Sequence, residues 1–229
     1  MRFLIWIFFL LLVPATVLGS GYQDPYKNVI YFRLDNGMQV YLLGNGKAVN
    51  TQITATFNVG TDIENEETYG LSHLVEHMVF RDKRIPHRDY LDYIKDEGAT
   101  YVNGFTGRYE TEYQVVINSS KSYWAVEILA QMFFDKQLET LDLTAELGAI
   151  QTEIGEKRWH EKYLWFLGQA LQKIFPPEDD FYRQTYDLAP LEDFPPPYKA
   201  KQTYSKISLD DVTAHYGKYY YPANMTLKI

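Results

Sequence analysis

The sequence of 229 residues contains no cysteine. This absence excludes a disulfide framework, a thiolate metal site and a lipid anchor attached through cysteine. Basic residues are in the minority, because 22 Lys and Arg stand against 30 Asp and Glu and the formal net charge is −8. An acidic chain is a poor partner for nucleic acid, although its charge can attract basic peptides. We therefore expect no nucleic-acid partner.

The amino terminus carries an unbroken apolar run, Phe3–Val13, after a positive charge at Arg2. Small residues follow and end at Gly19, a pattern typical of a cleaved secretory signal peptide. We therefore predict a signal peptide over residues 1–19 and an exported protein, periplasmic or secreted, over residues 20–229. An uncleaved anchor is the alternative, because the apolar stretch approaches membrane-spanning length. After cleavage we expect no membrane contact.

The segment His73-Leu-Val-Glu-His77 places two imidazoles and a carboxylate within five residues. A helix turns about 100° per residue, so His73, Glu76 and His77 share one face. The opposite face is apolar and comprises Leu71, Leu74, Val75, Met78 and Val79. Two neutral imidazoles four residues apart suit a tetrahedral Zn²⁺, and the carboxylate between them can accept a proton from water. The alternative is an amphipathic helix with a polar solvent face, but the complete pattern favours a metal site.

The remaining chain alternates strand-like and helix-like segments. Asp35-Asn36-Gly37 predicts a tight hairpin turn, because Asn-Gly supplies positive φ angles. Asn103–Thr106 is predicted to open a turn, and Ser208 with Asp211 predicts a helix capping box. Arg81–Arg84 place cations just past the His helix, where they favour its dipole; we assign them no catalytic role. The predicted strands cover 29–34, 38–43, 52–59, 111–117 and 224–229, and further helices cover 90–97, 123–134, 141–159 and 208–219. This order predicts an α+β fold, a mixed or antiparallel sheet with helices packed on one face.

A catalytic zinc site usually takes three protein ligands, and the predicted helix over 141–159 offers the best candidate, Glu153. Glu146 lies seven residues earlier, within about 20° of the same face. An apolar stripe lies beside this face and would carry both carboxylates inward: Leu143, Leu147, Ile150 and Ile154. One carboxylate can bind metal while the other orients a ligand or water. The alternative is that these glutamates, with Glu156, only solvate a helix.

The sequence resembles the insulinase/pitrilysin family of zinc peptidases, whose inverted His-x-x-Glu-His motif is followed at a distance by a glutamate ligand. Here 75 residues separate His77 from Glu153. Further matching segments are Leu34–Gly37, Gly70–Phe80, Asn103–Thr106, Thr111–Tyr113 and Tyr220–Leu227. The resemblance covers nearly the whole chain after the amino terminus.

The resemblance implies a processing-peptidase-like metallohydrolase domain that hydrolyses peptides or unfolded protein segments. By this resemblance one Zn²⁺ per chain is bound by three residues, His73, His77 and Glu153. Glu76 is expected to be the general base, and Asn103 to hold the substrate backbone. Glu146 matches an additional glutamate of the family one heptad upstream of the ligand, and we expect it to take part in catalysis.

The sequence departs from the family in two respects. The usual Asn-Ala-x-Thr reads Asn103-Gly104-Phe105-Thr106 here, a mild change that is not expected to affect the metal. Family members also continue past the Tyr220–Leu227 segment with at least one more homologous domain. Residues 20–229 are therefore expected to be an amino-terminal catalytic domain, incomplete at its carboxyl end, that works with a second homologous domain or subunit.

Two alternative functions remain at this point. The chain could be a non-catalytic subunit or truncated fragment that binds metal or peptide and needs a partner chain for activity. S-ribosylhomocysteinase shares the inverted motif and a related fold, but the absence of cysteine and the export signal argue against it. The leading prediction is an exported zinc endopeptidase.

Overall fold

The computed structural model describes residues 27–44, 46–84, 89–153, 204 and 206–229. The predicted signal peptide, residues 1–19, lies outside the described residues, as does the part of the predicted helix beyond residue 153. Among the described helices, none has both the length and the apolar character needed to cross a membrane.

The described residues form six strands in one mixed sheet. In chain order they are β1 (Val29–Arg33), β2 (Gln39–Leu43), β3 (Asn50–Phe57), β4 (Tyr101–Thr106), β5 (Thr111–Asn118) and β6 (Met225–Lys228). Their spatial order is β1-β2-β6-β3-β5-β4. The β2–β6 pair is parallel, and the other neighbouring pairs are antiparallel. The last strand of the chain is thus inserted between the first hairpin and β3, which joins the two ends of the described chain in one sheet.

In the described part of the chain, five α-helices of seven residues or more accompany the sheet. They are α1 (Leu71–Val79), α2 (Tyr90–Asp96), α3 (Ser122–Phe134), α4 (helical residues 140–153) and α5 (Leu209–Tyr219). The predicted capping box is confirmed, because Ser208 and Asp211 exchange side-chain and backbone hydrogen bonds at the start of α5. The predicted hairpin is also confirmed, with β1 and β2 joined by a turn in which Gly37 has a φ of 89°.

The core lies between the sheet and the helices. On β3 the side chains of Ile53, Ala55 and Phe57 are fully buried, and the Phe57 ring lies 5.1 Å from that of Phe133 on α3. Every apolar residue that the sequence placed on the inner face of α1 is buried. Burial of one such large side chain is worth about 1.5–3 kcal/mol. This packing fixes the rotation of α1 and leaves the two histidines, which are partly exposed, outside the core. The α+β prediction is confirmed.

The prediction of a turn at Asn103–Thr106 is wrong. These residues form the second half of β4 and pair with β5, with Gly104 opposite Tyr113. The chain turns later, where the Gly107 N–H donates to the Glu110 carbonyl at 2.8 Å. Asn and Gly favour turns as isolated residues, but a complete ladder of hydrogen bonds to β5 overrides that local preference.

Candidate metal centre

The amino terminus of α1 is held by a partly buried carboxylate, that of Glu64. The Glu64 side chain accepts hydrogen bonds from the backbone N–H groups of Gly70 and Ser72, both at 2.7 Å. These donors belong to the first turn of the helix, where backbone N–H groups lack partners within the helix and favour negative charge. Burial raises the pKa of Glu64, and the two backbone hydrogen bonds oppose this rise. The acidic loop before the helix thus serves to cap it.

Three side chains converge on one point in front of α1. The Nε2 atoms of His73 and His77 lie 3.2 Å apart, and a carboxylate oxygen of Glu153 on α4 lies 3.6 Å from each. These three are the described His, Asp and Glu side chains whose ligand atoms all lie within 4.8 Å of one another. The structure therefore brings together two residues from one helix and one from a segment 76 positions after His77.

The donor set fits zinc. Ligand atoms about 2.0–2.2 Å from a tetrahedral ion are separated from one another by roughly 3.3–3.6 Å. The observed separations of 3.2 Å and 3.6 Å are close to this range. Two imidazoles and one carboxylate are also the combination found in catalytic zinc sites that keep a fourth position open. The three side chains are partly exposed, which leaves the centre accessible from solvent.

Glu146, one heptad before Glu153 on α4, contacts the other nitrogen of His77. Its Oε2 lies 2.8 Å from His77 Nδ1, and its Oε1 accepts a hydrogen bond from Arg81 Nε at 2.5 Å. An ionised carboxylate can only accept, so Nδ1 carries the hydrogen, and in the neutral ring Nε2 keeps its lone pair at the point shared with His73 and Glu153. The two glutamates, equivalent in sequence spacing, therefore occupy different places around the same imidazole.

The pKa values of Glu146 and His77 are shifted in opposite directions. Burial raises the pKa of Glu146, but the hydrogen bonds from His77 and Arg81 outweigh it and hold that pKa below the usual value. Burial lowers the pKa of His77, but the hydrogen bond to Glu146 and the charges of Glu76, Glu146 and Glu153 outweigh it and raise that pKa. Both shifts follow from one charged and hydrogen-bonded pair at the edge of the core.

His73 has a different partner on its outer nitrogen. Its Nδ1 lies 3.3 Å from the hydroxyl of Tyr204, a residue that is 4% exposed. The Tyr204 ring packs against Gly70, which precedes α1 and has a φ of 86°. Burial, followed by the charges of nearby carboxylates, raises the pKa of Tyr204 well above its usual value. The phenol is therefore neutral at ordinary pH.

Glu76 lies on the inner side of the centre and is 6% exposed. Its Oε2 accepts a hydrogen bond from the Thr106 hydroxyl of β4 at 2.8 Å. A Cβ at Gly104 would lie 2.4 Å from Glu76 Oε1, so the glycine leaves the space that the carboxylate occupies. The segment predicted to be a turn is thus the strand against which Glu76 packs.

The centre opens into a cavity of about 690 Å³. Its wall includes all the site residues predicted from the sequence: His73, Glu76, His77, Asn103, Glu146 and Glu153. Asn103 is exposed on β4 and stands opposite Gln114 in the β4–β5 register. Side chains alternate between the two faces along a strand. Asn103 therefore lies on the other face from Gly104 and Thr106, on the face that it shares with Gln114. The structure therefore brings Asn103 to the cavity wall but away from the Glu76 side of the strand.

Sequence reasoning missed four residues that contact this centre: Glu64, Arg81, Thr106 and Tyr204. Arg81 was assigned only to the helix dipole, yet it is hydrogen-bonded to Glu146. A signal existed for Arg81, because it lies four residues after His77 and two after the end of α1, where its long side chain can reach back towards the histidine. Nothing in the local sequence indicates Tyr204, which lies 131 positions from His73.

Comparisons with known proteins show the family of the chain. The family model described as Insulinase (Peptidase family M16) matches residues 40–166, more than half of the chain and the whole of the centre up to Glu153. Insulin-degrading enzyme-like 2 of Arabidopsis thaliana is 28% identical over 168 residues, which cover 71% of this chain and 16% of that protein. Mitochondrial-processing peptidase subunit beta of Caenorhabditis elegans is 30% identical over 123 residues, which cover 54% of this chain and 27% of the relative.

A solved structure, that of the periplasmic protease PqqL from Escherichia coli, superposes with a TM-score of 0.69 at 23% identity. The superposition covers 88% of this chain and 22% of that protein. The chain thus spans less than a third of the length of these relatives. The matched region contains the His-x-x-Glu-His helix and both glutamates of α4, and on this basis the chain belongs to the insulinase family of peptidases.

Proposed function

We propose that this chain is the catalytic part of a zinc-dependent endopeptidase that hydrolyses peptides or unfolded protein segments. The observation that carries the proposal is the convergence of His73 Nε2, His77 Nε2 and a Glu153 oxygen in front of a cavity. Family membership supports it, because relatives of this chain are named as proteases and processing peptidases.

Each residue of the centre has a distinct proposed role. His73, His77 and Glu153 would hold one zinc ion, and Glu146 would orient His77 through the 2.8 Å contact at Nδ1. When bound, zinc supplies a Lewis acid that polarises a carbonyl and lowers the pKa of water. The chain's own contribution is to fix the tautomer and direction of each imidazole before substrate arrives.

Glu76 is the proposed general base. Its carboxylate lies on the same helical face as the two histidines and lines the same cavity. The Thr106 hydroxyl holds one carboxylate oxygen at 2.8 Å, so the side chain cannot rotate freely. A carboxylate held in this way can take a proton from the attacking water and pass it to the leaving amine, a contribution typically worth 10²–10⁴-fold in rate.

The proposed substrate is an extended peptide that lies along β4. Among the described strands β4 is at the edge of the sheet and pairs only with β5. An edge strand offers main-chain donors and acceptors to which a peptide can add as a further strand. Asn103 on this strand is the proposed side-chain contact to the substrate backbone. Main-chain pairing explains how such an enzyme would accept peptides of different sequence.

The proposed partner is a second homologous domain or subunit. The chain spans 16–27% of the curated relatives, and one of these is itself named as a subunit. A second body would supply a further wall of the cavity and position the peptide, and loss of positioning removes several kcal/mol of barrier reduction. The test is peptide cleavage by the purified chain, alone and with a homologous second domain added in trans. Robust cleavage by a monodisperse monomer would contradict this proposal.

Export is proposed from the apolar amino terminus, and the periplasmic location named for PqqL is consistent with it. Expression in a bacterial host, followed by fractionation and amino-terminal sequencing, tests it. We expect a mature chain beginning at Ser20 in the periplasmic fraction. Recovery of the chain in the membrane fraction with Met1 intact would instead favour the anchor.

Two substitutions test the catalytic proposal. His73→Ala should abolish zinc binding, because it leaves two protein ligands. Glu76→Gln should keep zinc, measured by elemental analysis, and lower peptide hydrolysis by about 10²–10⁴-fold. Glu127→Gln changes an exposed carboxylate on α3 and serves as the control, with both properties unchanged. Loss of zinc in Glu76→Gln with activity restored by added zinc would show that the roles are wrongly assigned.

A further inference from the structure

We propose that Tyr204 is a positioning residue for the metal centre, and that its hydroxyl fixes the orientation of His73. The inference rests on the proposed zinc site and extends it to a residue outside α1 and α4. The two histidines would then be supported by different groups: His77 by the charged Glu146–Arg81 pair, and His73 by a neutral phenol.

The first support for this role is geometric. The Tyr204 hydroxyl lies 3.3 Å from Nδ1 of His73, while Nε2 of the same ring lies 3.2 Å from His77 Nε2. A ring nitrogen that donates to an oxygen carries the hydrogen, and the other nitrogen is left with its lone pair. When Nε2 of His73 faces the metal position with its lone pair, Nδ1 carries the hydrogen and can donate it to the Tyr204 hydroxyl, so the contact holds the ring in the orientation that metal binding needs.

The second support is the way the fold accommodates the ring. Tyr204 is 4% exposed, and its ring fills the space in front of Gly70. A Cβ at Gly70 would lie 2.3 Å from the Cζ atom of Tyr204. Gly70 also has a φ of 86°, a conformation that other residues rarely adopt. Because Gly70 has no side chain, the phenol of Tyr204 can approach the start of α1, three residues before His73.

The third support is chemical. A phenol is neutral at ordinary pH, and its hydroxyl can both accept from His73 and donate elsewhere. A further carboxylate at the position of the Tyr204 hydroxyl would add negative charge to a centre that already contains Glu76, Glu146 and Glu153. A buried phenol orients the ring without that charge. Outer hydrogen-bond partners of metal-bound histidines commonly change metal affinity by 10–100-fold when removed.

The test uses Tyr204→Phe in the full chain, which removes the hydroxyl and keeps the ring against Gly70. Zinc dissociation constants are measured by competition with a chelating indicator. We expect a roughly tenfold weaker zinc affinity, at the low end of the known range because the lost partner is neutral. Tyr216→Phe is the matched control, since that hydroxyl donates to the backbone carbonyl of Phe133 on α3, and its zinc affinity should change less than twofold.

A second measurement does not depend on zinc binding. The ¹⁵N chemical shifts of the histidine rings in the metal-free protein report which nitrogen is protonated, and the chain has five histidines to assign. The Nδ1 shift of His73 should differ between the wild type and Tyr204→Phe, because only the wild type has a hydroxyl 3.3 Å from that nitrogen. Equal Nδ1 shifts, or equal zinc affinities, in the wild type and Tyr204→Phe would overturn the assignment. Absence of zinc binding in the wild type would refute the zinc site itself, while the ring shifts would still decide the role of Tyr204.

Discussion

Glu146→Gln is the substitution that most directly tests how the centre is built. Glu146 is 5% exposed and accepts from two donors, His77 Nδ1 and Arg81 Nε. Glutamine offers one acceptor oxygen and one NH₂ group. If the oxygen faces Arg81, the NH₂ group meets the His77 N–H and one buried donor loses its partner. If the histidine changes tautomer instead, its hydrogen moves to Nε2, the nitrogen that the metal needs.

Either outcome weakens zinc binding without removing a ligand. Loss of an outer partner of a metal-bound histidine typically weakens metal affinity by about 10–100-fold, which corresponds to about 1.4–2.7 kcal/mol. In the metal-free protein we expect the free energy of unfolding to fall by about 2 kcal/mol, because a hydrogen bond to a charged group is worth about 1.5–3 kcal/mol. Glu153→Gln, which changes a proposed ligand, should weaken zinc more strongly than Glu146→Gln.

Zinc dissociation constants of the two variants and the wild type, measured by chelator competition at one pH, decide between these expectations. Glu127→Gln on α3 is the control for removing one negative charge from the surface. Urea denaturation in the presence of a chelator gives the unfolding free energies separately. Equal losses of zinc affinity at Glu146 and Glu153, or a larger loss at Glu146, would refute the reasoning and exchange the two roles.

Three further predictions concern the metal, the base and a buried histidine. Zinc at 100 times its dissociation constant should raise the free energy of unfolding by about 2.7 kcal/mol, and a chelator should reverse this; an equal rise in His77→Ala would contradict the site. Thr106→Val should leave zinc affinity unchanged and lower kcat roughly tenfold, because Glu76 loses its donor; unchanged kcat would contradict it. Burial, followed by the charge of Lys218, lowers the pKa of His215 to about 4. The unfolded chain therefore binds this proton first as the pH falls below about 6.5, and stability should drop by about 2 kcal/mol between pH 7 and pH 5. Urea denaturation at both pH values should show a smaller drop in His215→Leu, and an equal drop would contradict the prediction.

Local periodicity was sufficient to predict which residues of α1 share the face that carries the histidines. His73, Glu76 and His77 lie on one side because a helix turns about 100° per residue, and the apolar side is buried as predicted. The capping box of α5 and the turn at Gly37 follow from interactions between residues at most four positions apart. Patterns of this range can be read from the sequence because the chain itself brings these residues together.

The two carboxylates of α4 mark the limit of that reasoning. Glu146 and Glu153 are seven residues apart and share a helical face, so spacing alone left open which one meets the metal and which one meets a ligand. The packing of α4 against α1 distinguishes the two, because it places Glu146 at Nδ1 of His77 and Glu153 at Nε2. Two glutamates that are one heptad apart thus contact the two different nitrogens of the His77 ring.

The sequence by itself thus determined the family, the α+β class and the face from which the histidines project, because these depend on short-range pattern and on residue type. Tertiary structure alone decided that Asn103–Thr106 is a strand rather than a turn, since pairing with β5 outweighs the turn preference of Asn and Gly. It also brought Tyr204 to His73 across 131 positions. Contacts between residues far apart in the sequence depend on how separate elements pack, so they cannot be predicted from a local sequence pattern.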